Sequence, residues 1–231
     1  MQKRTGGEIY IGVVGPVRTG KSTFIKRFMD VAVLPYMEDA AQKTRAQDEL
    51  PQSAGGRTIT TTEPKFIPQE AVELKLAGEV TIRVRLVDCV GFMVEGAAGH
   101  LEDGAERLVK TPWYDHEIPF TQAAELGTRK VITDHSTIGV VVTTDGSFSD
   151  LPQETYLDAE NQAISELKKL HKPFLVLVNS SHPSSRTARE AAERIEKQHS
   201  VAAMPVNCAQ LSEEDICLLY TSDAADDRIS V

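Results

Sequence analysis

Residues 15 to 22, Gly15-Pro16-Val17-Arg18-Thr19-Gly20-Lys21-Ser22, carry the pattern G-x-x-x-x-G-K-[ST]. The apolar run Ile9 to Val14 stands directly before it. After it, Phe24, Ile25, Phe28, Met29, Ala32 and Val33 recur at the spacing of one buried helix face, predicting a helix over Ser22 to Val33. A glycine-rich turn between a strand and a helix N-terminus is built to surround phosphate, because backbone N–H groups and the positive end of the helix dipole converge there. The whole stretch Gly15, Pro16, Val17, Arg18, Thr19, Gly20, Lys21, Ser22 and Thr23 is therefore expected to contact a nucleotide. Lys21 would reach the β- and γ-phosphates, and the Ser22 hydroxyl would ligate Mg2+. Arg18 is either a further γ-phosphate contact or a solvent-facing side chain.

The rest of the chain repeats the strand-then-helix rhythm. β-Branched runs at Ile9 to Val14, Val80 to Val87, Ile138 to Val142, Phe174 to Val178 and Val201 to Val206 predict strands. Helices are expected at Thr121 to Thr133, Glu154 to Leu170 (Leu157, Ile164, Leu167 and Leu170 inward) and Thr187 to Gln198, the last with a solvated charged face. This predicts an α/β fold with a mostly parallel sheet. The run at Val80 alternates with Thr81, Arg83 and Arg85, so Lys65 to Leu76 is expected beside it as an antiparallel edge strand. Glu38 to Thr62 and Gly91 to Pro119 show no regular pattern and read as long functional loops. Ser212-Glu213-Glu214-Asp215 reads as a capping box opening a helix. Residues 1 to 216 are expected to form the domain, and 217 to 231, which lack a helical stripe, a disordered or artefactual tail.

Among 231 residues the formal net charge is −9, which argues against a surface made to neutralise nucleic-acid backbones. No apolar run approaches the roughly 20 residues of a membrane span, and Met1 to Gly7 lead into a strand rather than a signal-peptide core. A cytosolic protein is expected. Cys89, Cys208 and Cys217 are too scattered for a metal knuckle, and His116, His135 and His182 form no ligand spacing. Trp113-Tyr114 packs either on a partner or on the sheet edge.

Asp88 closes the second strand and opens Asp88-Cys89-Val90-Gly91. A carboxylate there would hold Mg2+ through water, and the Gly91 N–H would meet the γ-phosphate. Between loop and aspartate lies Arg57-Thr58-Ile59-Thr60-Thr61-Thr62, in which a threonine is the expected second metal ligand and phosphate sensor. Two features depart from a guanine-nucleotide switch. The residue after Gly91 is Phe92, which orients no water, and the strand ending at Val178 is followed by Asn179-Ser180-Ser181-His182, where a guanine-reading aspartate would be required. Adenine, or a loose base preference, is the better expectation. A regulatory GTPase switch, a scaffold that binds nucleotide without turnover and a small-molecule kinase are the rival readings.

Arg4-Thr5-Gly6-Gly7, Gly12 to Lys26, Arg45 to Ser53, Thr61-Thr62-Glu63-Pro64-Lys65-Phe66, Leu86-Val87-Asp88-Cys89-Val90-Gly91, Thr111-Pro112-Trp113-Tyr114 and His135 to Val141 form a set of stretches found together. Together they resemble the stage IV sporulation protein A family, the morphogenetic ATPases at the base of the spore coat in endospore-forming bacteria. The resemblance covers roughly Arg4 to Ile216. It implies a GTPase-like three-layer sandwich that binds ATP with Mg2+ and hydrolyses it to drive its own polymerisation. Lys21 matches the Walker A lysine, Asp88 the Walker B aspartate, and Thr61 and Thr62 the sensor threonines. With Ser22, Thr61 and Asp88 would form the metal set, and Asn179 would border the nucleotide. The resemblance further implies a place in the mother-cell cytoplasm on the forespore surface, a small amphipathic membrane-associated partner, recruited coat proteins, and a middle and C-terminal region devoted to anchoring and assembly.

Overall fold

The computed structural model describes residues 8–51, 63–75, 81–97, 101–102 and 104–216. In chain order the elements are β1 (Glu8–Val14), α1 (Lys21–Phe28), α2 (Ala40–Asp48), β2 (Lys65–Lys75), β3 (Thr81–Asp88), β4 (Leu101–Glu102), β5 (Ala105–Glu106), β6 (Leu108–Thr111) and β7 (Tyr114–Pro119). They continue with α3 (Phe120–Lys130), β8 (Ile138–Thr144), α4 (Leu157–Lys169), β9 (Phe174–Asn179), α5 (Arg186–His199) and β10 (Ala203–Val206).

Six strands form one sheet in the order β10-β9-β8-β1-β3-β2, with every pairing parallel except β2 against β3. The fold is thus α/β with an antiparallel edge strand at the expected place. β1 lies between β3 and β8, with Val13 opposite Asp88 and Val14 opposite Val141. Strand order reverses at β1, and a crevice at the carboxyl ends of the strands opens where order reverses.

Period-two alternation divides the core. Ile11, Val13, Val84, Leu86, Val140, Val142 and Leu177 face one side, where Phe24, Ile25, Phe28 and Met29 cover them. Val14, Val87, Val141, Val176 and Val178 face the other, under Val131, Ile132, Ala163, Ile164, Leu167, Ala191 and Ile195. Helices on both faces explain why the parallel strands read as unbroken apolar runs.

The two stretches expected as loops hold regular structure. Inside Glu38 to Thr62, α2 is polar nearly all round and buries only Ala46, so it left no stripe to read. Its start is fixed by Asp39, whose Oδ1 accepts from the N–H of Ala41 (2.8 Å) and Gln42 (3.3 Å). Inside Gly91 to Pro119, β4–β5 and β6–β7 form two short antiparallel hairpins. Tyr114 packs against His116 of its own strand, the rings tilted by 54° with centres 5.5 Å apart. Leu170, expected inward, is 41% exposed because α4 ends at Lys169. Leu157 is half-buried, while Ile164 and Leu167 are fully inside.

The capping box forms as read: the Asp215 N–H donates to Ser212 Oγ, and Asp215 Oδ2 accepts from the Ser212 N–H, opening a helix at residues 213–216. The tail at 217–231 lies outside the described residues. Among the described residues no helix is long and apolar enough to cross a membrane.

Candidate nucleotide site

The loop between β1 and α1 is bent by three residues of positive φ: Gly15 at 128°, Arg18 at 60° and Gly20 at 94°. A Cβ on Gly20 would lie 2.3 Å from Asn179 Nδ2, so that position excludes a side chain by space as well as by conformation. Thr19 is fully buried and anchors the bend, its hydroxyl reaching Val142 O of β8 at 2.6 Å and Pro16 O at 3.0 Å. Phe24 N–H donates to Gly20 O at 2.8 Å and begins the helical ladder of α1. Arg18 stands exposed on the crest, and Thr23 is half-buried in the first turn of α1.

Lys21 follows the bend and is 5% exposed, its Nζ donating to Pro16 O at 2.6 Å. Burial pulls its pKa below the ordinary lysine value, with Cys89 and Asp88 pulling the other way. Across the crevice, Asp88 Oδ2 accepts from the Ser22 hydroxyl at 2.9 Å, and Oδ1 from the Cys89 N–H at 2.9 Å. Burial pushes the Asp88 carboxyl up, against the pull of Lys21 and these hydrogen bonds. The thiols of Cys89 and Cys208 are pushed up by burial to about 11 and about 12, so neither is a thiolate near neutral pH.

The segment after Asp88 is stitched to the loop. Val17 N–H donates to Phe92 O at 2.9 Å, and Phe92 N–H to Gly15 O at 3.0 Å. The Phe92 ring is buried in the core with Val17, Val94 and Tyr156, consistent with a residue that orients no water. Gly91, at φ 104°, is so close that a Cβ would lie 2.4 Å from Gly15 O and 2.5 Å from Lys21 Nζ. Its N–H donates to the Thr128 hydroxyl of α3 at 3.1 Å.

Asn179 sits at the end of β9 with both ends of its amide engaged. Nδ2 donates to Thr19 O at 3.0 Å, and Oδ1 accepts from the Cys208 N–H at 3.0 Å. It therefore ties the phosphate loop to the segment after β10. His182 is exposed in the turn that leads to α5.

The structure thus brings Gly15 through Thr23, Asp88, Gly91 and Asn179 to one crevice. Thr61 and Thr62 lie outside the described residues. Sequence reasoning missed Thr128 and the anchoring by Thr19, because these contacts join positions 37 and 123 apart with no local spacing to betray them. The donor set fits a nucleoside triphosphate with Mg2+. A glycine cradle admits no Cβ, a buried ammonium lies beneath it, and a hydroxyl and a carboxylate suited to a hard cation meet at its edge.

Comparison with known proteins places the chain in a family. A sequence model of the family described as "Stage IV sporulation protein A, ATPase domain" matches residues 1–223. The chain is 48% identical over 236 residues to stage IV sporulation protein A of Clostridioides difficile (strain 630), covering 100% of this chain and 48% of the relative. It is also 48% identical over 214 residues to the proteins of that name from Bacillus anthracis and Bacillus subtilis (strain 168), covering 93% of this chain and 44% of each relative. The chain spans about half the length of these relatives. With the fold, the phosphate loop and the whole-length match in agreement, the chain belongs to the stage IV sporulation protein A family and carries its ATPase domain.

Proposed function

We propose that this chain binds ATP with Mg2+ at the Gly15 to Thr23 loop and hydrolyses the β–γ phosphoanhydride, and that hydrolysis drives self-assembly on the forespore surface. The observation that carries the reading is the convergence of Lys21 with the Ser22–Asp88 pair beneath a loop whose glycines leave no room for side chains. Lys21 would leave Pro16 O for the terminal phosphate oxygens, exchanging a neutral acceptor for an anionic one. Ser22 and Asp88 would hold the cation, the aspartate through water, with Thr61 or Thr62 completing the set. Bound Mg2+ supplies charge neutralisation across the phosphates. With Phe92 turned into the core, Thr61 or Thr62 would also orient the attacking water.

Adenine is the proposed base, since no carboxylate follows Asn179 in the turn to His182 and the Asn179 amide is engaged with the loop. Family membership supports the wider reading: polymerisation of the protein with itself, a mother-cell cytoplasmic site, a small amphipathic forespore-membrane partner and other coat proteins. The test is turnover of ATP and GTP side by side, with sedimentation of the products. We expect Mg2+-dependent phosphate release with ATP preferred and lost in Lys21→Ala and Asp88→Ala. Turnover surviving either substitution would refute the assignment.

A further inference from the structure

Gly91 lies between the Lys21 ammonium and the Thr128 hydroxyl. Its backbone packs against Lys21, close enough that a Cβ would lie 2.5 Å from Nζ, so a phosphate oxygen bound by that ammonium would stand beside the Gly91 amide. Yet the amide points its proton at Thr128 Oγ1, 3.1 Å away on α3. Thr128 is fully buried, and its own hydroxyl proton goes to Ala124 O at 2.8 Å. The hydroxyl proton being engaged, Thr128 meets Gly91 as an acceptor. A single N–H serves one acceptor well, so an anion at Lys21 and the Thr128 oxygen compete for it.

α3 connects this competition to the surface. Its first residue, Phe120, is fully buried, donates its N–H to Arg107 O at 2.8 Å and lies under the Arg107 guanidinium, 4.2 Å from the ring centre. Phe120 also follows Pro119, the last residue of β7, without a break. Thr128 is thus linked through one helix to the β6–β7 hairpin.

Resting on the nucleotide reading above, we propose that Thr128 is a positioning residue that sets discrimination between tri- and diphosphate: its hydroxyl competes with the γ-phosphate for the Gly91 amide, and loss of that bond loosens α3. ADP, with no γ-phosphate, leaves the bond to Thr128 in place. Such γ-phosphate-dependent exchange of backbone contacts is how nucleotide state is passed to distant segments.

The test compares wild type, Thr128→Val and Thr128→Ser for Mg2+-dependent binding of a non-hydrolysable ATP analogue and of ADP. Valine keeps the shape but removes the hydroxyl acceptor and leaves the Gly91 N–H only the weaker Cys89 sulfur, so affinity for the analogue relative to ADP should rise about three- to tenfold, the worth of one neutral hydrogen bond. Serine retains the hydroxyl and should keep the wild-type ratio. A folded Thr128→Val protein with an unchanged ratio overturns the proposal while leaving nucleotide binding intact. A wild-type chain that binds neither nucleotide overturns the nucleotide reading itself. Should the valine variant not fold, amide exchange on wild type decides: residues 120–130 should exchange faster with the ATP analogue than with ADP, and equal rates overturn the proposal.

Discussion

The Ser22 hydroxyl donates to Asp88 Oδ2 across 2.9 Å, joining the first turn of α1 to the last residue of β3. The two residues are 66 positions apart, so the contact depends on β1 and β3 being parallel neighbours with Val13 opposite Asp88. Asp88→Asn keeps the shape and one acceptor but removes the charge. We expect turnover of ATP to fall about 10- to 100-fold and to demand more Mg2+, the usual cost of losing a carboxylate that holds a metal through water. Folding stability should not fall with it, because burial already disfavours the charged form of Asp88. An Mg2+ titration of turnover, with chemical denaturation of both proteins, checks the two halves separately.

Lys21 gives a pH signature of its own. Burial lowers its folded pKa from the ordinary 10.5, so between that lowered value and 10.5 the unfolded chain holds a proton that the folded chain has released. In that window stability rises with pH. Asp88 acts oppositely at the acid end: its folded value is raised above 3.8, so stability falls as pH climbs from 3.8 toward it. Lys21→Met abolishes the first effect. Urea denaturation at pH values rising toward 10.5 should show wild type gaining stability relative to Lys21→Met; parallel curves would contradict a lowered Lys21 pKa. Turnover in the variant should drop about 10²- to 10³-fold, as for loss of one charge-stabilising donor.

Asn179 is expected to position the phosphate loop rather than read the base. Both of its hydrogen bonds, to Thr19 O and from the Cys208 N–H, go to protein backbone. Asn179→Ala therefore removes two buried neutral hydrogen bonds and should cost about 1–3 kcal/mol in denaturant unfolding. Affinity for ATP and GTP should weaken by similar factors. A selective loss of ATP binding would instead place Asn179 at the base.

How far this was legible from sequence depends on the range of the interaction. The loop, its flanking strand and helix, and Asp88 at a strand end were readable, since a glycine-lysine spacing and an apolar period are local properties. The sheet with its antiparallel edge at Lys65–Lys75 followed from the alternation of Val84 and Leu86 with Arg83 and Arg85. α2 was illegible because one buried alanine makes no stripe, and because Asp39 as an N-cap looks like any loop aspartate. The β4–β5 hairpin was hidden by its shortness, two residues per strand. Thr128 and Asn179 acquire their partners only when α3 and β9 are packed beside the loop.

Glu160 of α4 is 1% exposed, accepts from the Thr143 hydroxyl at 2.7 Å and lies 2.7 Å from Arg194 of α5 as an ion pair outside hydrogen-bond geometry. Thr143 directly follows Val142, whose carbonyl receives Thr19 of the phosphate loop. Removing Arg194 strands a buried carboxylate, which for a fully buried pair costs about 3–5 kcal/mol. Because the Arg194 side chain is 31% exposed, solvent screens part of this. We expect Arg194→Met to destabilise by about 2–3 kcal/mol. Glu160→Gln alone should cost less, since the amide can still accept from Thr143, and it removes the charge that Arg194 exists to offset. The double variant should then be less destabilised than the sum of the single ones, with a coupling of about 1 kcal/mol or more. Strict additivity in a double-mutant cycle would mean that Arg194 touches Glu160 without stabilising it.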